Sequence, residues 1–320
     1  LGNVLKELNQ FGPARASYDR ALGLKPEYVA AWRNKGGAFI DLGRFEEALF
    51  CFEKSIALQS RDAKGYSNLG NALVGLRRFE EAITSFERAI EIDPGDPQSY
   101  MNMGNALIGA GRPDAAIECL TRAVSIDPQY AEAYSNLGSA LKSAGRFDEA
   151  FDQYDRAILL QPKLAEAHLN KGLTQLLLGD FLSGWRSYES RWRTKESLRS
   201  ARDFAQPLWV GEGPLAGKTI LVHCEQGLGD TIQFCRYLPL LAARGATVVL
   251  ELPRVLLGLL QNLPSIDQFI TQGEDLPPTD IHCPLLSLPL AFESTLDNIP
   301  SPGGYLKPEP LKMARWSEWL

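Results

Sequence analysis

A 34-residue period runs through the first half of this chain and limits its fold more than any other feature. The frames begin at Val29, Ala63, Pro97, Ala131 and Ala165, with a partial frame before Val29. Position 4 of the frame reads Trp32, Tyr66, Tyr100, Tyr134, His168. Position 8 reads Gly2, Gly36, Gly70, Gly104, Gly138, Gly172. Position 20 is Ala14, Ala48, Ala82, Ala116 and Ala150, then Gly184; position 24 is Tyr18, Phe52, Phe86, Leu120, Tyr154 and Tyr188. Position 32 is Pro26, Ser60, Pro94, Pro128 and Pro162. Each column has a physical task. The aromatic at 4 fills the space between two helices, and the small residues at 8 and 20 let those helices cross closely. Proline near 32 cannot continue a helix and sets the turn into the next repeat. The Gly-Arg-Phe segments at 43–48 and 145–150 turn one helix into the next. One such unit cannot bury its apolar face alone, so the core must come from stacking.

The pattern resembles the tetratricopeptide repeat over residues 1–198, as five full frames and one truncated frame. The resemblance implies a superhelix of helix pairs with a concave groove lined by the first helix of each pair. Position 6 then gains interest, because it is Asn34, Asn68, Asn102, Asn136 and Asn170 without exception, and position 9 adds Asn3, Asn71 and Asn105. Asn is a poor-to-middling helix former, so its recurrence needs a cause. An amide offers two donors and an acceptor, which suits gripping the backbone of an extended peptide. The same ladder occurs in the repeat domain of the O-linked N-acetylglucosamine transferases, which this array resembles. A second explanation stays open: Asn as a shared consensus that packs repeat on repeat.

The last frame drifts, with Gly184 for Ala and Lys171 at a position usually filled by Leu. Trp185, Tyr188 and Trp192 form one helical face there. That face predicts a capping helix that docks onto the next domain; ligand stacking is the minor alternative.

Residues 199–217 read as a linker, with Pro207, Gly211, Gly213, Pro214 and Gly217. Periodicity then changes. Strands are predicted at 219–224, 246–252, 268–271 and 281–286, with helices at 231–244 and 254–263. Alternation of this kind predicts a parallel α/β sheet. The first strand leads into a turn of Glu225, Gln226, Gly227, Leu228, Gly229 and Asp230. Free N–H groups at the start of a helix favour an anion in such a turn. Ile232 stands where a dinucleotide fingerprint needs glycine, and no Gly-Lys-Ser/Thr follows for a P-loop.

Residues 207–310 resemble the acceptor-side lobe of two-lobed GT-B glycosyltransferases, in the manner of the ADP-heptose–lipopolysaccharide heptosyltransferases. Gly229-Asp230 and Leu238-Pro239 carry the likeness. It implies half of a GT-B fold over 218–320, a Rossmann-like lobe, with Asp230 as the general base that deprotonates an acceptor hydroxyl. Asp230 can equally serve as a helix N-cap. His223, Glu225, Gln226, Gly227 and Gly229 complete a candidate substrate- or phosphate-binding turn, although His223 and His282 also suit satisfied core positions. Ser287 and Thr295 have no visible Ser-His-Asp arrangement, which leaves a hydrolase unsupported. The chemistry implied is single displacement with inversion, from a nucleotide-sugar donor and without an obligatory metal. The donor lobe is expected to lie beyond this stretch. Both ends look cut: the first frame starts at its seventh position, and the last residues carry an amphipathic pattern (Leu311, Arg315, Trp319).

Composition sets the remaining bounds. The 320 residues carry a net charge of -6, spread over both halves, so no basic nucleic-acid footprint is present. No apolar run approaches the roughly 18 residues of a membrane span. Five cysteines without paired spacing and three histidines argue against a disulfide framework and a zinc site, and fit a cytoplasmic protein. The function expected is a peptide- or protein-binding array joined to a glycosyltransferase lobe. Two alternatives remain: a non-catalytic repeat scaffold, and a nucleotide-binding regulator acting through the 225–230 turn.

Overall fold

The computed structural model describes residues 1–194, 197–198, 202–225, 227–263, 265–301, 303 and 306. The chain divides into two compact units, Leu1–Asn170 and Lys171–Leu320. The sequence-based boundary lies later, at 198. The expected linker, 199–217, falls within the second unit, where Leu208 bridges to His282 and Trp209 is buried.

The repeat unit is built of helical hairpins. They are α1 (Gly2–Glu7) with α2 (Phe11–Leu24), α3 (Val29–Asp41) with α4 (Phe45–Leu58), α5 (Ala63–Gly75) with α6 (Phe79–Ile92), α7 (Pro97–Gly109) with α8 (Pro113–Ile126), and α9 (Ala131–Ser143) with α10 (Phe147–Leu160). A sixth pair, α11 (Ala165–Leu177) and α12 (Phe181–Tyr188), begins in this unit and continues into the second.

The sequence columns resolve into contacts. Ala14, Ala48, Ala82, Ala116 and Ala150 are fully buried. The glycine at position 8 lies beneath the residue at position 24. A Cβ on Gly36 would stand 2.6 Å from Phe52, one on Gly70 2.6 Å from Phe86, and one on Gly104 2.5 Å from Leu120. Position 4 does more than fill space: Trp32 Nε1 donates to the Pro26 carbonyl at 2.7 Å, and His168 Nε2 meets the Pro162 carbonyl at 2.9 Å. Each thereby ties its repeat to the position-32 residue before it.

The turn within each hairpin is one motif. Arg44 N–H bonds the Phe39 carbonyl while Gly43 N–H bonds that of Ile40, and the pair recurs at Arg112–Leu107 with Gly111–Ile108. This is the Schellman arrangement, which needs a left-handed residue after the helix. Gly43, Gly111, Gly145 and Gly179 supply it, while Asn9 and Arg77 adopt it at φ 58 despite their side chains.

The second unit contains a four-stranded, all-parallel sheet in the order β3-β2-β1-β4. Its strands are β1 (Thr219–His223), β2 (Thr247–Leu252), β3 (Gln268–Thr271) and β4 (Ile281–Pro284). Ile220, Val222, Val248, Leu250, Ile281 and Cys283 pack into the main core on one face. On the other face Leu221, Val249 and Ile270 form a smaller cluster joined by Phe204. The single helix expected at 231–244 is instead two, Leu228–Phe234 and Leu238–Ala243, separated by a 3-10 turn at Cys235–Tyr237. Pro239 explains the break, since it has no N–H to continue the ladder. The helix expected at 254–263 shortens to a 3-10 turn, Arg254–Leu256, and one α turn, Leu257–Leu260. The terminal helix expected around Leu311, Arg315 and Trp319 lies outside the described residues.

Candidate functional site

Two places gather the residues singled out by the sequence. The first is the inner side of the repeats. First helices of successive hairpins touch one another (α3 with α5, α5 with α7, α7 with α9), and their second helices do not to the same degree. A stack is tighter on its concave side, so α3, α5, α7 and α9 line that side. Position 6 therefore recurs along neighbouring helices of one face.

The amides there are partly engaged between repeats. Asn34 Nδ2 donates to Asn3 Oδ1 at 3.0 Å, Asn136 Nδ2 to Met101 Sδ at 2.9 Å, and Asn170 Nδ2 to Ser135 Oγ at 3.4 Å. In each case the acceptor belongs to the preceding repeat. Asn105 also donates to Met101 Sδ, at 3.3 Å. Asn102, almost fully buried, accepts from Gln98 Nε2 at 2.9 Å, and Gln98 accepts from the Tyr130 hydroxyl at 2.6 Å. Among the described residues the side chains of Asn68 and Asn71 make no hydrogen bond. The column thus braces the stack, yet an amide that makes a single such bond, or none as at Asn68, keeps further donor and acceptor capacity. Gln98 and Tyr130 are members of this network that sequence reading missed. Their Tyr–Gln–Asn chain runs from the last residue of the frame beginning at Pro97 back to that frame's first helix, and no column marks it.

The second place is the carboxyl end of β1. There the strand order reverses, since β1 is flanked by β2 on one side and β4 on the other. Ligands in open α/β sheets bind at such a switch point. The turn after β1 holds Gly227 and Gly229, both exposed, and half-buried Asp230. Gln226 lies outside the described residues. Gly227 is the N-cap of the Leu228–Phe234 helix and Asp230 sits in its first turn, so Asp230 is not the N-cap expected from sequence. A Cβ on Gly229 would meet nothing within 4 Å, so packing does not require glycine there.

His223 and Glu225 are both committed to internal partners. His223 is buried; its ring stacks on Phe204 at 4.5 Å and its Nε2 lies 3.2 Å from His282 Nδ1. Phe204 stacks on His282 as well, at 4.4 Å. Burial first, then the neighbouring His282, Arg202 and Arg191, push the His223 pKa down to about 3. Glu225 is gripped by Arg191: Nε donates to Oε2 at 3.0 Å and Nη2 to Oε1 at 3.2 Å. The Leu286 N–H adds a third bond, at 3.2 Å. Arg191 is itself only 4% exposed and also binds Glu189 at 2.6 Å and Ser287 Oγ at 2.8 Å. Burial opposes the Arg191 charge, but the Glu225 and Glu189 carboxylates outweigh it and raise its pKa. A second buried carboxylate, Glu251 at the end of β2, pairs with Arg202.

None of Arg191, Glu189, Ser287, Arg202 or Phe204 was singled out from sequence as a site residue. The one local hint is that Glu189 and Arg191 interrupt the aromatic face of Trp185, Tyr188 and Trp192. The five cysteines are free, and among the described residues no cluster of His, Cys, Asp or Glu is placed to hold a metal. Among the described residues, no helix is long and apolar enough to cross a membrane.

These features define the first unit as a solenoid of helical hairpins, closed by Gly-on-aromatic contacts and left-handed turns. Family models described as tetratricopeptide repeat match residues 1–50, 38–97, 73–141 and 107–176, and that stretch of the chain belongs to the tetratricopeptide-repeat family. A curated relative is protein FlbA of Caulobacter vibrioides, 26% identical over 178 residues, which are 45% of this chain and 27% of FlbA. The chain thus spans little more than a quarter of that relative's length. Among solved structures, PilW, titled a widely conserved type IV pilus biogenesis factor, aligns with a TM-score of 0.55 at 21% identity, covering 62% of this chain and 94% of PilW. The Cut9–Hcn1 hetero-tetramer of the APC/C aligns at 0.54 and 17% identity, covering 63% of this chain and 41% of that one. At these identities both likenesses concern the fold alone.

Proposed function

We propose that the first unit captures an extended stretch of protein or peptide along the inner face of its repeats. The contact residues are Asn34, Asn68, Asn102, Asn136 and Asn170, with Asn71 and Asn105. The Asn column carries the reading: it sits at one place on successive helices that line the concave side, with hydrogen-bonding capacity to spare. The test uses a peptide selected from a random display library against the whole chain. Asn68→Ala with Asn71→Ala removes two amides that make no internal bond, so the melting temperature stays put while affinity falls about tenfold, on the order of 1 kcal/mol per lost hydrogen bond. Unchanged affinity would falsify the peptide groove and leave these residues as braces between repeats.

A second reading concerns the α/β unit, as the acceptor-side half of an inverting glycosyltransferase that uses a nucleotide sugar. Three observations favour it. The order β3-β2-β1-β4 matches the first four strands of a Rossmann sheet. A glycine turn leaves β1 at the switch point, and the space over Gly229 is open. Asp230 is half-buried beside it and makes no side-chain hydrogen bond to the described residues. In this reading Asp230 takes the acceptor hydroxyl's proton, Gly227 and Gly229 admit the substrate closely, and His223 and Glu225 hold the turn from behind. Asp230→Asn, assayed in the complete natural protein with a panel of sugar nucleotides, is expected to abolish transfer without shifting the melting temperature. Peptide binding with no transfer by the unmutated protein points instead to a non-catalytic scaffold.

A further inference from the structure

The sheet face opposite the main core carries three ionisable side chains that form a cluster of their own. His223 is paired with Glu251 in the β1–β2 register, and His282 with Leu221 in the β1–β4 register. Residues paired across parallel strands face the same side, as do residues two apart along one strand. His223, Glu251 and His282 therefore share the face of Leu221 and Val249. His223 and Glu251 are buried there, and His282 is half-buried.

Residues 202–209 strap this face. The far end is tied by main chain: Trp209 N–H donates to the His282 carbonyl at 2.8 Å, and His282 N–H to the Pro207 carbonyl at 3.1 Å. The near end is tied by side chains. Phe204 stacks on both imidazoles, whose centroids are 5.4 Å apart. Arg202 lies over the Phe204 ring at 4.9 Å and supplies the cation for Glu251.

These near-end ties fit together only while the imidazoles are neutral. His223 Nε2 lies 3.2 Å from His282 Nδ1, a hydrogen bond that needs one of the two nitrogens bare. A first added proton sets a cation beside Arg202; a second also brings two N–H groups face to face. Among the described residues, the charged and titratable groups around His223 are His282 on β4, Arg202 in the strap, Arg191 on the 3-10 turn and Glu251 on β2. The first three oppose its protonation, as does burial. Glu251 alone favours it. Arg202 is the member that can leave most easily, because its side chain is already 45% exposed. A protonated His223, one strand away from Glu251, can then neutralise the carboxylate that Arg202 gives up.

We propose that residues 202–206 are an acid-released strap: protonation of the His223–His282 pair drives Arg202 off Glu251 and lifts Phe204 from the two rings, while residues 207–209 stay paired with β4. Release bares His223 and Glu251 at the carboxyl ends of β1 and β2. The device needs neither peptide capture nor sugar transfer, so it stands or falls independently of the functions proposed above.

Histidine side-chain NMR of the whole chain tests it, since the sequence holds only three histidines. At pH 7 the carbon-bound ring protons of His223 and His282 are expected to be displaced by the ring current of Phe204. As pH falls from about 6.5 to about 4, both sets lose that displacement together. The methyl signals of Val248 and Leu250, in the main core, keep their native positions over the same range. The ratio of released to strapped form rises by up to about tenfold per pH unit for each histidine that takes up a proton. His223→Gln keeps a side-chain N–H for His282 but cannot take up a proton, and is expected to hold His282 under Phe204 at pH 4. The wild-type titration decides the matter alone should that variant unfold the unit. Absence of displacement at pH 7, displacement that persists until the core methyl signals collapse, or release of a folded His223→Gln chain at the wild-type pH overturns the proposal.

Discussion

The two units of this chain reach a buried core by opposite means. In the repeat unit the same contact is made again and again: a position-24 side chain over a position-8 glycine, a buried alanine at position 20, a left-handed turn at position 15. Its core is assembled from neighbours in sequence, and its polar residues brace one repeat on the next. In the α/β unit the decisive contacts occur once each and join residues far apart. Arg191 reaches Glu225, His223 reaches His282, and Arg202 reaches Glu251. The difference teaches where each unit is vulnerable. Damage in a repeat is local and shared with similar sites, whereas loss of one partner in the α/β unit strands a charge in the interior.

The comparison breaks hardest at Arg191. Arg191→Ala leaves Glu225 without its cation in a place where water cannot replace it, and also unpairs the partly exposed Glu189. Removing one partner of a buried ion pair costs about 3–5 kcal/mol. The side-chain exposures of Arg191 and Glu225 are 4% and 6%, so solvent offers little relief. The expected outcome is two separate unfolding transitions, with the α/β unit melting first and the helical signal of the repeats surviving to its usual temperature. A single unshifted transition would show that the network contributes little.

Acid separates the units next. His223 holds its proton in the unfolded chain below a pKa near 6.5, and in the folded unit only below about 3. Between those values the unfolded state binds more protons, so stability rises with pH and is lost as pH falls from about 6.5 toward 3. The slope approaches about 1.4 kcal/mol per pH unit. His282, also lowered by burial, acts in the same direction. The groups facing His223 are His282 on β4, Arg202 and Arg191, all of which oppose its protonation, and Phe204 covers its ring. Urea unfolding of the α/β unit at pH 7, 6 and 5 is expected to show this slope, and His223→Gln to flatten it. The repeats contain no buried histidine, so their midpoint moves far less over that range.

Much of this architecture is legible in the residues, but unevenly. A column such as Gly36, Gly70, Gly104 and Gly138 announces a close contact because chance does not repeat at a fixed spacing. The third strand, Gln268–Thr271, has its predicted bounds, and the other three differ only at an end. The fourth strand stops at Pro284 rather than at 286, because a 3-10 turn begins at Leu285. What stays hidden is pairing across the fold. Glu225 reads in sequence as a turn residue open to a ligand, and nothing near it names Arg191, 34 residues away, as its partner. His223 is legible as a buried histidine, but the Phe204 stack that buries it comes from a stretch that reads as linker.

Arg77 offers the finest test of the comparison, because it departs from its own column. It sits at φ 58, where the equivalent Gly43 and Gly111 have φ 69 and 73. A side chain in the left-handed region costs roughly 1–2 kcal/mol, whereas glycine adopts that region freely but is looser when unfolded. Arg77 recovers some of the difference by lying over the Phe79 ring, 5.8 Å from its centroid, a contact worth about 0.5–1 kcal/mol at an exposed site. The balance favours Arg77→Gly by about 0.5 kcal/mol, or on the order of 1–2 °C in melting temperature for a unit of this size. The gain should appear in the repeat transition only. Gly111→Arg should reverse it, by a larger amount, since that turn is followed by Pro113 where the other has Phe79, and so offers no ring to lie on. If Arg77→Gly proves neutral or destabilising, the cation–ring contact outweighs the backbone, and this repeat has traded column for contact as the α/β unit does.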